Sequence, residues 1–357
     1  MKKIASLVAG LGLFVLAAPA APVQAAETMR LTIAAGHPIV FLWVKHLKDT
    51  FIPVLDAELA KTGEIKIDWS QGYGGTIVKL GSEVDAFQSG IMDVGQMMGV
   101  FNPAKFGLLN VTYAMPFGPV DARQVTKSVE DALISTGALA SVEKATGVVY
   151  IGGGISIDDY NIGAAKKIEK LADLQGVKLG GAGPNLAWLR STNAVGVQGS
   201  FVSFYNDIKT GIYSGYIGWM TAGVPAKLYE VAPFWNEVHF GAMYIGGLGV
   251  TKSKWDKFSD ATKAAFKKAA AAYSEAYLAE QASRYQASIE AHKKAGGSVV
   301  ELPAAERSKW IAAMPNPTTE WAAAADARSE PAMKVLDAYQ KSLASSGFKF
   351  ERDYLAK

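Results

Sequence analysis

The chain has 357 residues, with 36 lysines and arginines against 33 aspartates and glutamates, a net charge of +3 and no cysteine. The lack of cysteine excludes disulfides, thiol catalysis and zinc–thiolate sites. The near balance of interspersed charges offers no basic surface to nucleic acid or an anionic membrane. This length is long for one hydrophobic core and typical of two lobes.

Residues 1–26 have the three parts of a secretory signal peptide. Two lysines at positions 2 and 3 precede an apolar run from Ile4 to Ala18, and small residues follow at 23–25. This order predicts export, with cleavage near Ala25 or Ala26. The apolar run is too short for a permanent membrane span. Since no later run of about 18 apolar residues occurs, we expect a soluble mature protein.

The first half of the chain alternates strand and helix patterns. A half-buried strand at 29–33 is followed by a Gly-His-Pro loop and a helix to about Leu59, then by a strand at 65–69, a glycine-rich loop, a helix over about 79–89 and a strand at 92–98. This β-α-β-α-β order predicts a mainly parallel sheet with crossover helices. In such sheets the ligand binds at the carboxyl ends of the strands.

A second lobe is predicted from a similar alternation of strands and helices. The segment 171–219 predicts a short strand at 177–180, a helix opened by glycine and proline, another short strand, and a helix from Ser203 to Thr210 that ends at Gly211. Short buried strands alternating with helices are typical of a doubly wound α/β lobe.

The last third is rich in Ala, Lys, Glu and Gln. Residues 259–294 contain almost no glycine or proline, and Ser259 with Thr262 predicts a helix start. At 1.5 Å per residue, such a helix is long enough to cross both lobes, although two helices packed on one lobe would fit the same pattern. A second helical segment, 304–345, is interrupted by prolines at 315, 317 and 331.

Several motifs resemble the extracytoplasmic solute-binding proteins of TRAP (tripartite ATP-independent periplasmic) transporters. They are Asp-Leu-x-Gly-x-Lys-Leu at 173–179, Tyr-x-x-Ile-x-x-Gly-x-x-x-Gly at 205–215, Leu-Gly at 80–81 with the segment 86–95, and Tyr-Ala-Met-Pro-Phe at 113–117. Their shared order spans both predicted lobes. The resemblance implies an α/β, two-lobed periplasmic-binding-protein fold (type II-like), with long C-terminal helices bridging the lobes.

The same resemblance implies a function. Such a protein traps a small-molecule solute between its lobes in the periplasm, closes by hinge motion, and delivers the solute to membrane permease subunits driven by an ion gradient. We expect a monomer that binds no nucleic acid. Lobe I is expected to comprise 27–152 plus about 241–280, and lobe II 153–240 plus about 281–357. Gly152–Gly154 is a candidate hinge or, equally, a tight turn.

Candidate ligand-binding residues lie at the predicted strand ends. His37 belongs to the Gly-His-Pro loop, and four aromatic residues, Tyr73, Phe101, Tyr160 and Trp219, could stack on a ligand, although most large aromatic residues fill cores. His46 and His292 lie in helical patterns and have no metal-ligand spacing. No catalytic motif is present. We therefore expect no catalytic residue, no metal and no cofactor.

This chain differs from the family pattern at positions where the family has charged side chains. Where the family strand continues with an arginine that holds the ligand's carboxylate, this chain has Gly180. Asp158 and Asp159 fall near the position of another family arginine. We therefore expect a small amine, an amino alcohol or another solute without a carboxylate. The two aspartates could instead be solvated loop residues or helix caps.

Three alternatives remain open at this point. An organic acid could be held by Lys178, Arg190 or His37. The chain could also be an exported enzyme of similar architecture, or a receptor that reports to a signalling partner.

Overall fold

The computed structural model describes residues 26–356, so the predicted signal peptide lies outside the described residues but for Ala26. This part of the chain contains eleven strands and thirteen α-helices. The strands are β1 Glu27–Ala34, β2 Ile65–Gly72, β3 Val94–Gln96, β4 Val148–Ile157, β5 Asn161–Ala164, β6 Lys178–Gly181, β7 Val195–Gln198, β8 Gly215–Gly218, β9 Phe234–Glu237, β10 Met243–Thr251 and β11 Ser298–Glu301.

The helices are numbered separately from the short 3₁₀ turns. They are α1 Leu42–His46, α2 Ile52–Thr62, α3 Glu83–Gln88, α4 Val111–Ala114, α5 Ala122–Ser135, α6 Ala138–Thr146, α7 Phe204–Lys209, α8 Met220–Gly223, α9 Lys252–Trp255, α10 Asp260–Lys294, α11 Ala304–Ala313, α12 Pro317–Asp326 and α13 Ala332–Ser345. A π-helical segment, Leu47–Phe51, joins α1 to α2. Within residues 26–356, no helix has both the length and the apolar character needed to cross a bilayer.

The first sheet has the order β2-β1-β3-β10-β4. β1 pairs in parallel with β2 and β3, which confirms the parallel pairing predicted for the first half of the chain. β10, however, enters antiparallel between β3 and β4. Its partners lie far away in sequence, so no local pattern could indicate this insertion.

The second sheet has the order β11-β9-β5-β8-β6-β7. β6 pairs in parallel with β7 and β8, whereas β5 pairs antiparallel with β8 and β9. The segment predicted as a helix opened by glycine and proline is instead a 3₁₀ turn, Gly183–Leu189. Together the two sheets and their helices form the predicted two-lobed α/β architecture.

α10 links the two sheets along one side of the molecule. Ser259 accepts a hydrogen bond from the backbone of Thr262 at its start, as the sequence predicts. Near its middle the Tyr273 hydroxyl donates to the carbonyl of Trp43 (3.0 Å). Near its end His292 lies 3.1 Å from the carbonyl of Pro233. The spanning prediction for this helix is therefore confirmed.

The chain passes between the sheets in two short segments, 158–160 and 238–242, here called the crossing segments. They are paired by backbone hydrogen bonds from Tyr160 to Gly241 and from Phe240 to Tyr160, each 3.0 Å. Gly152–Gly154 lies inside β4, where Gly152 and Gly153 have positive φ and the pairing with β10 is irregular. These glycines therefore form a bulge inside the strand, and a hinge at them stays a prediction.

The C-terminal helices pack on elements of both sheets, so the predicted lobe ranges stay a proposal. α13 packs on α5, and α12 packs on α4. In contrast, Trp310 of α11 donates its indole N–H to the carbonyl of Trp188 (2.8 Å). The final helices thus contact elements from both halves of the chain.

An ion pair ties the two crossing segments together. His239 Nδ1 lies 2.5 Å from Asp159 Oδ2, and Asp159 Oδ1 accepts the backbone N–H of Gly241 (2.9 Å). His239 Nε2 lies 3.3 Å from Glu301 Oε1. The hydrogen bond with Asp159 raises the pKa of His239 to about 9, although burial opposes this effect. The imidazolium therefore stabilises the paired segments at neutral pH.

This pair predicts a pH-dependent stability. Because the folded state raises the pKa of His239 above 6.5, its contribution is complete below about pH 6.5 and is lost as the pH rises through about 9. In His239→Asn, whose side chain tolerates the positive φ of 59° at this position, the melting temperature should fall most at pH 6 and least at pH 10. Thermal unfolding followed by circular dichroism measures the difference.

His292→Asn is the matched control. Burial lowers the pKa of His292, so its effect on the melting temperature should stay constant above pH 6.5. If the melting temperatures of the wild type and His239→Asn differ by the same amount at pH 6 and pH 10, the stabilising role of the His239–Asp159 pair is contradicted.

Candidate functional site

A narrow cavity lies between the two sheets. It is formed where strands β1 and β3 of the first sheet and β6, β7 and β8 of the second sheet end. These strands are parallel to their neighbours within each group. Their carboxyl ends therefore meet at one crevice, the place where ligands bind in open α/β sheets.

The first sheet supplies one wall. His37 follows β1, and Phe101 ends the 3₁₀ turn after β3. Gly36 allows this arrangement, because a Cβ there would lie 2.6 Å from the backbone of Leu80. The other lining residues from this side are Trp43, Met98, Val100, Tyr113 and Ile245.

The second sheet supplies the opposite wall. Asn185 lies in the 3₁₀ turn after β6, Phe201 follows β7, and Trp219 follows β8. Tyr160 of the crossing segment closes the base. The remaining lining residues are Ala182, Gly199, Ser200, Phe204 and Ile217.

Aromatic rings from the two walls meet around the cavity. The ring centroids of Trp43 and Trp219 are 5.8 Å apart, and those of Phe41 and Phe201 are 5.9 Å apart. Phe201 also packs edge-on against Trp219 at 4.4 Å. Such edge-to-face and offset contacts are favourable for aromatic pairs. The walls are therefore in contact, and the cavity is closed on these sides.

Three buried side chains in the walls have polar atoms without a hydrogen-bond partner in the described part of the protein. They are Nδ1 of His37, Nε1 of Trp43 and both amide atoms of Asn185. Burial lowers the pKa of His37 to about 3, so its imidazole is neutral at physiological pH. Unpaired buried polar atoms are rare in folded proteins and costly, which makes these atoms candidates for ligand contacts.

Four of the residues predicted from sequence line this cavity together: His37, Phe101, Tyr160 and Trp219. Tyr73 does not line it. It lies after β2, where its hydroxyl donates to Gln71 Oε1 (3.0 Å).

The two aspartates lie outside the cavity and are partnered within the protein. Asp158 accepts hydrogen bonds from the hydroxyl of Thr221 (2.6 Å) and from Gln281 of α10 (3.4 Å). Asp159 pairs with His239. Burial raises the pKa of Asp158 to about 6. The two carboxylates also line a separate cavity together with His239, Gln281 and Tyr285, and a bound amine at them stays a prediction.

Gly180 also lies outside the cavity, and its side is filled. A Cβ at this position would lie 2.6 Å from the ring of Tyr213. The Tyr213 hydroxyl is held by a hydrogen bond to Asp207 Oδ2 (2.7 Å). A longer side chain at position 180 would therefore clash with a packed aromatic ring.

Sequence reasoning missed Trp43, Asn185 and Phe201. Asn185 and Phe201 follow strands, so the strand-end rule could have found them. Trp43 lies in α1, and nothing in its sequence context separates it from a core residue.

One group of side chains among residues 26–356 has donor atoms close enough for a metal ion. These atoms belong to Glu237, His239 and Glu301 and lie within 4.8 Å of one another. The imidazole of this group is already engaged with Asp159 and Glu301.

Residues 56–324 match the family model of bacterial extracellular solute-binding protein, family 7 (DctP). The chain belongs to this family. The match confirms the resemblance predicted from the sequence motifs, and it makes the protein a solute-binding receptor rather than an enzyme. No curated protein matched the chain in the sequence comparison.

Solved structures share the fold of this receptor. A Bordetella pertussis extracytoplasmic solute receptor that binds pyroglutamic acid has 19% identity and a TM-score of 0.72, with 88% of this chain and 100% of that chain covered. A marine metagenome TRAP solute-binding protein specific for pyroglutamate has 18% identity, a TM-score of 0.73 and coverage of 88% and 99%.

A third structure is a TRAP periplasmic solute-binding protein from Sulfitobacter sp. NAS-14.1 with bound β-D-galacturonate. It has 20% identity, a TM-score of 0.68 and coverage of 87% and 100%.

The packing at Gly180 predicts an effect of adding a side chain. Gly180→Ala should lower the free energy of unfolding by about 1–3 kcal/mol, because the methyl group overpacks against Tyr213. The matched control is Gly183→Ala, whose Cβ would come no closer than 3.4 Å, to the flexible end of Gln198. Urea unfolding measures both, and equal stability of the two variants would contradict the proposed packing.

Proposed function

We propose that this receptor belongs to a TRAP transporter and captures a small organic solute in the aromatic cavity. The observation that carries the proposal is a cavity between two sheets, lined from both sides and bearing buried, unpaired polar atoms. Family membership supports the receptor role. In this proposal the partners are the solute and the membrane permease subunits, and the receptor acts as a monomer in the periplasm.

Solute binding would close the lobes by a population shift. A ligand in the cavity contacts His37 and Trp43 on one wall and Asn185 and Trp219 on the other only when the walls approach. Binding energy is therefore available mainly in the closed form, so the ligand favours closure. The crossing segments, 158–160 and 238–242, are the places where the hinge rotation would occur.

An ion pair also connects the second sheet to α12 outside the cavity. Arg190, directly after the 3₁₀ turn that follows β6, makes two hydrogen bonds to the carboxylate of Glu320 in α12. Both side chains are substantially exposed, and exposed pairs contribute only about 0–1 kcal/mol. We infer that the ligand and the aromatic contacts dominate closure.

Three ligand classes compete for the cavity. Related structures contain pyroglutamate and galacturonate, which are acids. For this receptor the acid hypothesis relied on Lys178, Arg190 or His37. Lys178 is exposed, Arg190 is paired with Glu320, and neither of them lines the cavity. The amine hypothesis relied on Asp158 and Asp159, which are partnered elsewhere. The third class is an uncharged solute.

The binding site is tested by replacing one ring of the cavity. A thermal-shift screen of small amines, sugars, amides and carboxylates identifies a ligand, which is then titrated by calorimetry into the receptor and into Trp219→Leu. We expect Kd to rise about fivefold or more in the variant, because a lost aromatic contact corresponds to roughly 1 kcal/mol or more.

Trp255→Leu is the matched control, because Trp255 packs against Phe258 and Phe266 far from the cavity. Its Kd should equal that of the wild type. A ligand whose Kd is unchanged by Trp219→Leu, or that is chemically converted during the titration, would overturn the proposed site or the receptor role respectively.

A further inference from the structure

The walls of the cavity contain no formal charge. Among its lining residues, all of which lie within the described chain, none is Asp, Glu, Lys or Arg. His37 is the only lining side chain that could become a cation near neutral pH, and burial lowers its pKa to about 3. A charged ligand would therefore enter a low-dielectric cavity without a counter-charge, which is strongly unfavourable.

The unpaired polar atoms restrict the ligand further. Trp43 Nε1 can only donate a hydrogen bond, whereas the amide of Asn185 both donates and accepts. These two side chains are 2% and 1% exposed, so solvent does not satisfy them. His37 Nδ1, also unpaired, donates or accepts according to its tautomer.

A bound ammonium and a bound carboxylate each satisfy only part of this set. An ammonium group has donors only, so the N–H of Trp43 would stay unpaired. A carboxylate has acceptors only, so Oδ1 of Asn185 would stay unpaired. A neutral group with a carbonyl or hydroxyl acceptor and an N–H or O–H donor satisfies both residues.

We infer that the cavity selects an uncharged, compact and largely apolar solute that carries one hydrogen-bond acceptor and one donor, such as a primary amide, a lactam or a phenol. This inference rests on the proposed function and specifies its ligand class. The aromatic rings of Phe101, Phe201 and Trp219 contact the apolar frame of the solute. Trp43 on one wall and Asn185 on the other bind its polar group.

The first experiment needs no ligand. Asn185→Leu removes two unpaired buried polar atoms at similar volume, so the melting temperature of the receptor without added solute should rise. Asn236→Leu is the matched control, because Asn236 is equally buried but accepts a hydrogen bond from Ile168 (2.6 Å) and donates to Ile162 (3.1 Å). Its melting temperature should fall. A fall of similar size in both variants would overturn the inference.

The second experiment compares ligands that share a frame. Calorimetry at pH 7 measures benzamide, benzoate and benzylamine, and then isobutyramide, isobutyrate and isobutylamine. In at least one set, the neutral amide should bind about tenfold or more tightly than either charged member, since an uncompensated buried charge is disfavoured. The advantage should disappear in Asn185→Leu.

The outcomes separate this inference from the receptor role. Tighter binding of a charged member, with its Kd sensitive to Trp219→Leu, would overturn the neutral-ligand inference and leave the receptor role intact. If none of the six compounds binds, the result counts against both the neutral-ligand inference and the receptor role.

Discussion

The ring of Tyr213 lies between Gly180 of β6 and Gly199, which follows β7, and this packing leaves no space for a long side chain at position 180. A Cβ at Gly180 or at Gly199 would come within 3 Å of Tyr213 atoms. The ring is anchored through its hydroxyl to Asp207. An aromatic ring thus occupies the space in which a long cationic side chain at position 180 would begin.

The absence of a cation at that position agrees with the rest of the cavity. His37 is held neutral by burial, and the hydroxyls of Tyr113 and Tyr160 lie 3.1 Å apart and pair with each other. The carboxylates of the crossing segment face other partners. Charge is thus kept in the connection between the lobes, whereas the cavity presents aromatic surface and neutral polar groups.

The crossing segments and the cavity differ in how their polar groups are hydrogen-bonded. The crossing segments satisfy their backbone groups through Asp159 and through Asn161, whose side-chain Oδ1 accepts the backbone N–H groups of Val238 and His239. The cavity instead leaves buried polar atoms of Trp43 and Asn185 unpaired. Departures from full hydrogen bonding are expected at functional sites, and these atoms of Trp43 and Asn185 lie where parallel strands from both sheets end.

The sequence by itself determined the elements whose signals are local. Ser259 and the residues after it specify a continuous helix, since capping and helix propensity act within a few residues. The strand-end rule located His37, Phe101 and Trp219, because a strand's end is visible in the sequence. Family motifs indicated the two-lobed fold.

Three further features became visible only in the tertiary structure. The insertion of β10 in the first sheet, the partners of Asp158 and Asp159, and the ring that fills the side of Gly180 all involve residues distant in sequence. Whether a buried aspartate meets a ligand or a histidine depends on packing between those residues, and no local pattern records it. Helices and strands were therefore predictable from short-range propensities and the two-lobed class from the family motifs, whereas the strand order of the first sheet and the charge of the cavity followed only from long-range contacts.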